Sequence, residues 1–169
     1  MIIQIPKKQT IANKQLALRN KLWPQLKEHE IWDRKKKKGF TTIPRAMPIF
    51  MTIMDSMSKE KVSAVYFELW CRAFDEHLVV LNNKEDMAFH AGFMGQRRVQ
   101  TWTSRLDILN KLGFIKLASG SLGTRSYALI VNPYEVIKKH RRNKKSGIPE
   151  SLYNALIGRA SEIGADEDI

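Results

Sequence analysis

The spacing of apolar residues along this chain changes several times, and each change marks an element. From Pro48 to Met57, Ile49, Phe50, Ile53, Met54 and Met57 fall at steps of three and four, which predicts one buried face of a helix. The next stretch carries Val62, Val65, Tyr66, Leu69, Trp70, Ala73 and Phe74. That broad stripe predicts a central helix running from a Ser58 N-cap to about His77. Val79-Val-Leu81 is a short β-like run, and Asn83 behind it suits the cap of a following helix. Helical spacing returns over residues 84–112, broken by Gly92-Phe-Met-Gly95. After Gly113 the period falls to about two: Phe114–Ala118 and Ser126–Val131 flank Ser119–Thr124, the pattern of a hairpin around a Gly/Ser turn. Asn132-Pro133 ends it, and Tyr134 to about Arg142 returns to helix.

The ends of the chain are patterned more weakly. Thr10 to Asn20 predicts a short helix, interrupted by Trp23-Pro24 because proline is excluded from a helix interior. Leu26, Ile31 and Trp32 follow as anchors, and Trp23 and Trp32 are expected to pin this segment onto the core. Lys35 to Lys38 precede Gly39–Arg45, which reads as an exposed, irregular segment. Ser151 to Ile163, with Leu152, Leu156 and Ile163, reads as a weakly amphipathic helix able to dock or dimerise. The fold class is mainly α with a small β-hairpin.

Chemistry concentrates in residues 84–115. At about 100° per residue, Val99, Trp102, Leu106 and Leu109 share one face of the second helix, read as 96–112. Arg97, Gln100, Thr101, Ser104 and Ile108 lie roughly opposite, and Arg98 and Arg105 flank that polar face. In the first helix Met87, Ala88 and Ala91 point inward. The small Ala88 lets the two helices cross closely, and Gly92 suits the left-handed residue that ends a helix. Arg and Gln on the N-terminal half of a helix can make bidentate contacts with base edges in a major groove, and amides near Gln96 can hold a phosphate. Arg97, Gln100, Thr101 and Ser104 are therefore the candidate base readers. Gln96, Arg98 and Arg105, with Lys116 and Arg125 on the hairpin, are the candidate phosphate contacts.

On Ala88, Gly92, the Val99/Trp102/Leu106 face, the Leu112-Gly-Phe-Ile115 exit and the Gly120/Gly123 hairpin, residues 58–131 resemble winged helix-turn-helix domains. These include the domains of bacterial transcriptional regulators and of plasmid replication initiators. The resemblance implies a winged helix with N- and C-terminal helical extensions. It also implies duplex DNA bound by the second helix and by the wing at 114–131, often by a homodimer. One departure is the turn Gly92–Gly95, about one residue longer than the compact pattern, which shifts the groove-facing register by up to one position.

Composition agrees with a polyanionic partner. The 169 residues are 43% hydrophobic, enough for one core, and carry a formal charge of +12. Residues 1–43 hold eleven Lys/Arg against three acidic residues, 44–137 hold eleven against nine, and 138–169 seven against five. The expected organisation is thus a basic segment (1–43), a nearly neutral winged-helix domain (44–137), and a terminal part (138–169) with a basic cluster Lys138–Lys145, a helix and the acidic tail Asp166-Glu-Asp168. Lys35, Lys36, Lys37 and Lys38, with Arg141 and Arg142, are candidate nonspecific contacts. Cys71 is the only cysteine, which suits a reducing cytosol. Residues 1–8 lack the apolar core of a signal peptide, and Met47–Met54 is too short to cross a bilayer. A cytoplasmic, nucleoid-associated protein without membrane contact is expected.

Nothing in the chain spells catalysis. His29, His77, His90 and His140 are scattered, and no metal-ligand spacing, phosphate-binding glycine loop or nucleophile motif occurs, so no catalytic residue, metal or cofactor is expected. The leading expectation is a sequence-specific double-stranded DNA-binding transcriptional regulator of bacterial or mobile-element type. Alternatives are a plasmid-type replication initiator or accessory protein, and a winged-helix protein-interaction module that binds nucleic acid nonspecifically. The C-terminal helix or acidic tail is a candidate surface for a protein partner.

Overall fold

The computed structural model describes residues 10–143 and 147–169, so residues 1–8 and Lys144 and Lys145 of the basic cluster lie outside the described residues. The chain forms two compact units divided after Phe40.

In the first unit, helix α1 (Ile11–Leu22) starts at Thr10, whose hydroxyl accepts from the Asn13 amide at 3.4 Å. No residue of α1 is buried. A short 3₁₀ turn at Glu28–Glu30 is closed by the Glu30 carboxylate, which accepts from the Lys27 amide at 2.8 Å. Asp33 then organises the lysine run: its carboxylate accepts from Lys35 N at 2.9 Å and its carbonyl from Lys36 N and Lys37 N at 3.0 Å each. Lys35–Lys38 therefore begins as a side-chain-capped turn. Trp23 is exposed and Trp32 is 64% exposed, so the burial expected of the two indoles is not found.

The second unit opens with α2 (Met47–Ser58), which carries Pro48 in its first turn and buries Met47, Phe50, Ile53 and Met54. The next helix, α3 (Ser63–Arg72), starts later than its sequence suggests. Ser58 ends α2 and folds its hydroxyl back onto the Asp55 and Glu60 carbonyls. The cap of α3 is Asp55, from the preceding helix: its carboxylate accepts from Val62 N, Ser63 N and the Ser63 hydroxyl, each at 2.8 Å. Helix α3 also stops at Arg72, short of His77, because Phe74–His77 turns the chain with His77 at φ +54°. Phe74, expected in the apolar stripe, is left 83% exposed.

Strand β1 (Leu78–Val80) leads to α4 (Lys84–His90), where the Asn83 side chain accepts from Asp86 N at 3.3 Å as the cap the sequence suggests. Helix α5 (Arg98–Leu112), β2 (Ile115–Gly120) and β3 (Gly123–Ile130) follow. The sheet is three-stranded and antiparallel in the order β1-β3-β2, so the expected hairpin is extended by β1, with Leu78 opposite Leu129 and Val80 opposite Tyr127. The hairpin itself is tighter than a six-residue loop, with Gly120 facing Gly123 across Ser121-Leu122. Ser126, fully buried, closes it from inside: its hydroxyl accepts from Leu122 N at 3.0 Å and donates to Gly123 O at 2.8 Å. At Gly120 a Cβ would sit 2.5 Å from the Tyr127 ring.

Helices α6 (Pro133–Arg142) and α7 (Glu150–Ile163) belong to the same unit. Helix α7 packs on α2 and buries Leu156 and Ala160. His140 donates from Nε2 to the Leu112 carbonyl at 2.7 Å, satisfying an orphan acceptor at the C-terminal end of α5. One core results, with Phe50 edge-on to Tyr134 at 4.7 Å, and with Tyr66, Trp102 and Phe114 all fully buried. Each large apolar side chain so buried contributes roughly 1.5–3 kcal/mol before entropy is counted.

Candidate nucleic-acid interface

Helices α4 and α5 are joined by a turn built on two glycines. Ala91 N bonds to Met87 O at 3.0 Å and Phe93 N to Ala88 O at 3.0 Å, while Gly92 takes φ +86°. That is a glycine-terminated helix end satisfying the last carbonyls of α4. Gly95, at φ +84°, makes the second bend, and the helix begins only at Arg98 with Arg97 in the capping position. Gln96 thus lies in the turn and not in the first helical residue expected of it, two positions before α5 starts.

From Arg98 onward α5 divides its faces as the sequence suggests. Trp102, Leu106 and Leu109 are buried and Val99 is half-buried. Met87, Ala88 and Ala91 of the preceding segment are buried against this core. Arg97, Gln100 and Ser104 are exposed in one row at steps of three and four, Gln96 is exposed beside them, and Thr101 is half-buried on the flank. Ile108 does not face outward. It packs on the core because β2 lies against α5 and widens the buried arc there.

The five candidate phosphate contacts are not equivalent. Arg98 reaches Glu85 of α4 at 2.7 Å, and Arg105 reaches Glu60 of the α2–α3 turn at 2.7 Å. Arg125 of β3 grips Asp107 of α5 with two bonds of 2.7 Å, a bidentate clasp between hairpin and helix. The carboxylate partner raises the Arg125 guanidinium further above its ordinary range. Gln96 and Lys116 are exposed. Among the nonspecific candidates, Lys36 pairs with Glu28 at 2.8 Å, which holds the Glu28 carboxyl below its usual range. Arg141 pairs with Glu150 and stacks 4.6 Å over the Tyr153 ring, bracing α6 against α7. Lys35, Lys37, Lys38 and Arg142 are exposed.

Two features escape the sequence. Lys111, Lys116 and Lys139 come together around a cavity of about 480 Å³ at the C-terminal end of α5, an assembly of three elements with no local signature. The last turn of α4 and the turn that follows it also present Phe89 and Met94, the latter 69% exposed. Among the described residues no group of three or more His, Cys, Asp and Glu side chains could hold a metal ion, and no helix is long and apolar enough to cross a membrane. Comparison with known family models, characterised proteins and solved structures finds no match to the chain.

Proposed function

We propose that this chain is a sequence-specific duplex-DNA-binding protein on a winged-helix scaffold, acting at the nucleoid as a transcriptional regulator. The observation that carries the reading is the exposed row Arg97, Gln100 and Ser104 on a helix whose opposite stripe is buried. Those side chains combine donors and acceptors suited to base edges, and a major groove admits one helix. The element order from α3 to β3 and the strand order β1-β3-β2 support the winged-helix reading, in which the β2–β3 hairpin is the wing. In this reading Gln96 and Lys116 contact phosphates directly. Arg98, Arg105 and Arg125 first hold α5 and the wing in place through their carboxylates, then share their remaining donors with the backbone.

Selection of bound duplexes from a random pool tests the reading. A defined consensus should emerge, palindromic if a homodimer binds, and iterated repeats in it would favour replication initiation over regulation. At the selected site Arg97→Ala or Gln100→Ala should each cost about 1–3 kcal/mol and relax base preference. Unchanged affinity in a folded R97A chain would remove α5 as the reader. The rival reading, an interaction module with nonspecific nucleic-acid binding, is favoured by one observation: the exposed Phe89 and Met94 beside the row. It predicts a flat response across sequences.

A further inference from the structure

Three lysines gather at the C-terminal end of α5 without a carboxylate to meet them. Lys111 of α5, Lys116 of β2 and Lys139 of α6 line one cavity of about 480 Å³. All three are exposed, and among the described residues none of their ammonium groups has an ion pair or a hydrogen bond. The carboxylate of the lining, Glu135, is taken by Lys138 at 2.7 Å. Asn110 adds a neutral donor: its Oδ1 accepts from Leu117 N at 3.1 Å, which leaves the Nδ2 end of the amide for the cavity. Leu112, Val131 and Val136 give the cavity an apolar side.

Helix ends account for only part of this arrangement. An ammonium in a last turn offsets the partial negative charge there, and Lys111 and Lys139 stand in the last turns of α5 and α6. Lys116 comes from a strand, however, and the carbonyls that end α5 do not need a lysine. Leu109 O accepts from Gly113 N and Phe114 N at 3.0 Å each, Asn110 O from Gly113 N at 3.1 Å, and Leu112 O from His140 Nε2 at 2.7 Å. The arginines near α5, Arg98, Arg105 and Arg125, each face a carboxylate. Three like charges around one concavity, by contrast, repel each other until an anion joins them.

The free groups define that anion. The three ammoniums and Asn110 Nδ2 all donate, so the ligand is rich in acceptors. A phosphate monoester carries about −1.5 to −2 charges at neutral pH on three acceptor oxygens, whereas a diester carries a single charge. The monoester therefore balances the three ammoniums better. The cavity has the size of a small-molecule site, and its apolar side calls for a ligand with a body to cover it.

We propose that this cavity binds a phosphate monoester with an apolar or aromatic body, its phosphoryl oxygens among Lys111, Lys116 and Lys139 with Asn110 Nδ2 beside them, and its body on Leu112, Val131 and Val136. Nucleoside monophosphates and simple aryl or alkyl phosphates share that chemistry. The site does not rest on the DNA-binding reading, and Lys111 lies about 20 Å along the helix from Arg97. Lys116 is the one residue that both would use.

Calorimetric titration of the full chain tests it, with adenosine and uridine monophosphates in one arm and phenyl and hexyl phosphates in the other. The controls are cyclic adenosine monophosphate, a diester with the same body, together with adenosine and inorganic phosphate. At least one arm should bind with one site per chain in the micromolar to millimolar range, and each control at least about tenfold more weakly. Lys111→Gln and Lys139→Gln, both at exposed positions, should each weaken binding about three- to tenfold. Lys61→Gln, at an exposed lysine of the α2–α3 turn, should leave it unchanged. Failure of both arms to bind, equal binding of any control, or an equal loss in K61Q would overturn the proposal. So would K111Q and K139Q chains that lose affinity for a random duplex but bind the monoesters as before, since the lysines would then belong to the DNA backbone.

Discussion

Glu68 shows how a single side chain can be held between opposing terms. Burial pushes its carboxyl above the ordinary range, and the hydrogen bond and charge of Arg72 pull it back only in part, so the net direction is upward. Its buried Oε2 meets no donor among the described residues, and such an acceptor costs about 1–3 kcal/mol, which the fold has to carry elsewhere. The upward shift has a defined sign in stability. The folded chain binds the Glu68 proton more tightly than the unfolded chain does, so this contribution is fully present below the unfolded value and is lost as pH rises through the raised folded value. The difference in unfolding free energy between wild type and E68Q should therefore move against the wild type as pH climbs from the acid side of the carboxylate range toward neutrality. Denaturant titration of both chains at several pH values measures it. A difference moving the other way would mean that Arg72 outweighs burial.

Elements are positioned here by a few polar clasps, and these decide how α5 and the hairpin can move relative to one another. The Arg125–Asp107 clasp has good bidentate geometry, but both side chains are more than a third exposed, so screening limits it to about 1 kcal/mol or less. Asp107→Asn should accordingly lower stability by under about 1 kcal/mol. On the DNA-binding reading it should also tighten binding to every duplex and steepen the salt slope by about one, because it removes a negative charge and frees Arg125. Anisotropy titrations across salt concentrations read both effects, and a loss of cognate affinity would instead make the clasp a device that positions the wing. Such clasps also mark the limit of what the chain's pattern reveals. The buried stripe of α5, the Asn83 cap and the glycine ending α4 are legible because each depends on neighbours within a turn or two. Arg105 with Glu60, or Arg125 with Asp107, is invisible because tertiary packing supplies the partner. The start of α3 is misread for the same reason, since its cap comes from Asp55 on another helix, and the hairpin loop is overestimated because a buried Ser126 closes it from within a strand.

At the scale of the molecule the question is where the +12 charge acts. Much of the basic content near α5 is already matched: Arg98, Arg105 and Arg125 each face a carboxylate. The first unit is different, since its segment carries eleven basic residues against three acidic ones, and Lys35, Lys37 and Lys38 are exposed. On the DNA-binding reading, exposed charge of this kind neutralises phosphates without reading them, and each phosphate so neutralised adds about 0.9 to the slope of log affinity against log salt. Replacing Lys35, Lys37 and Lys38 together with alanine should therefore lower that slope by up to about 2.7 and weaken binding to selected and random duplexes alike. Replacing Arg97 should change the ratio between the two duplexes far more than the slope. If the triple substitution narrowed the preference for the selected duplex and left the slope untouched, the division of labour would fail: the lysine turn would be reading sequence, and α5 would need another role.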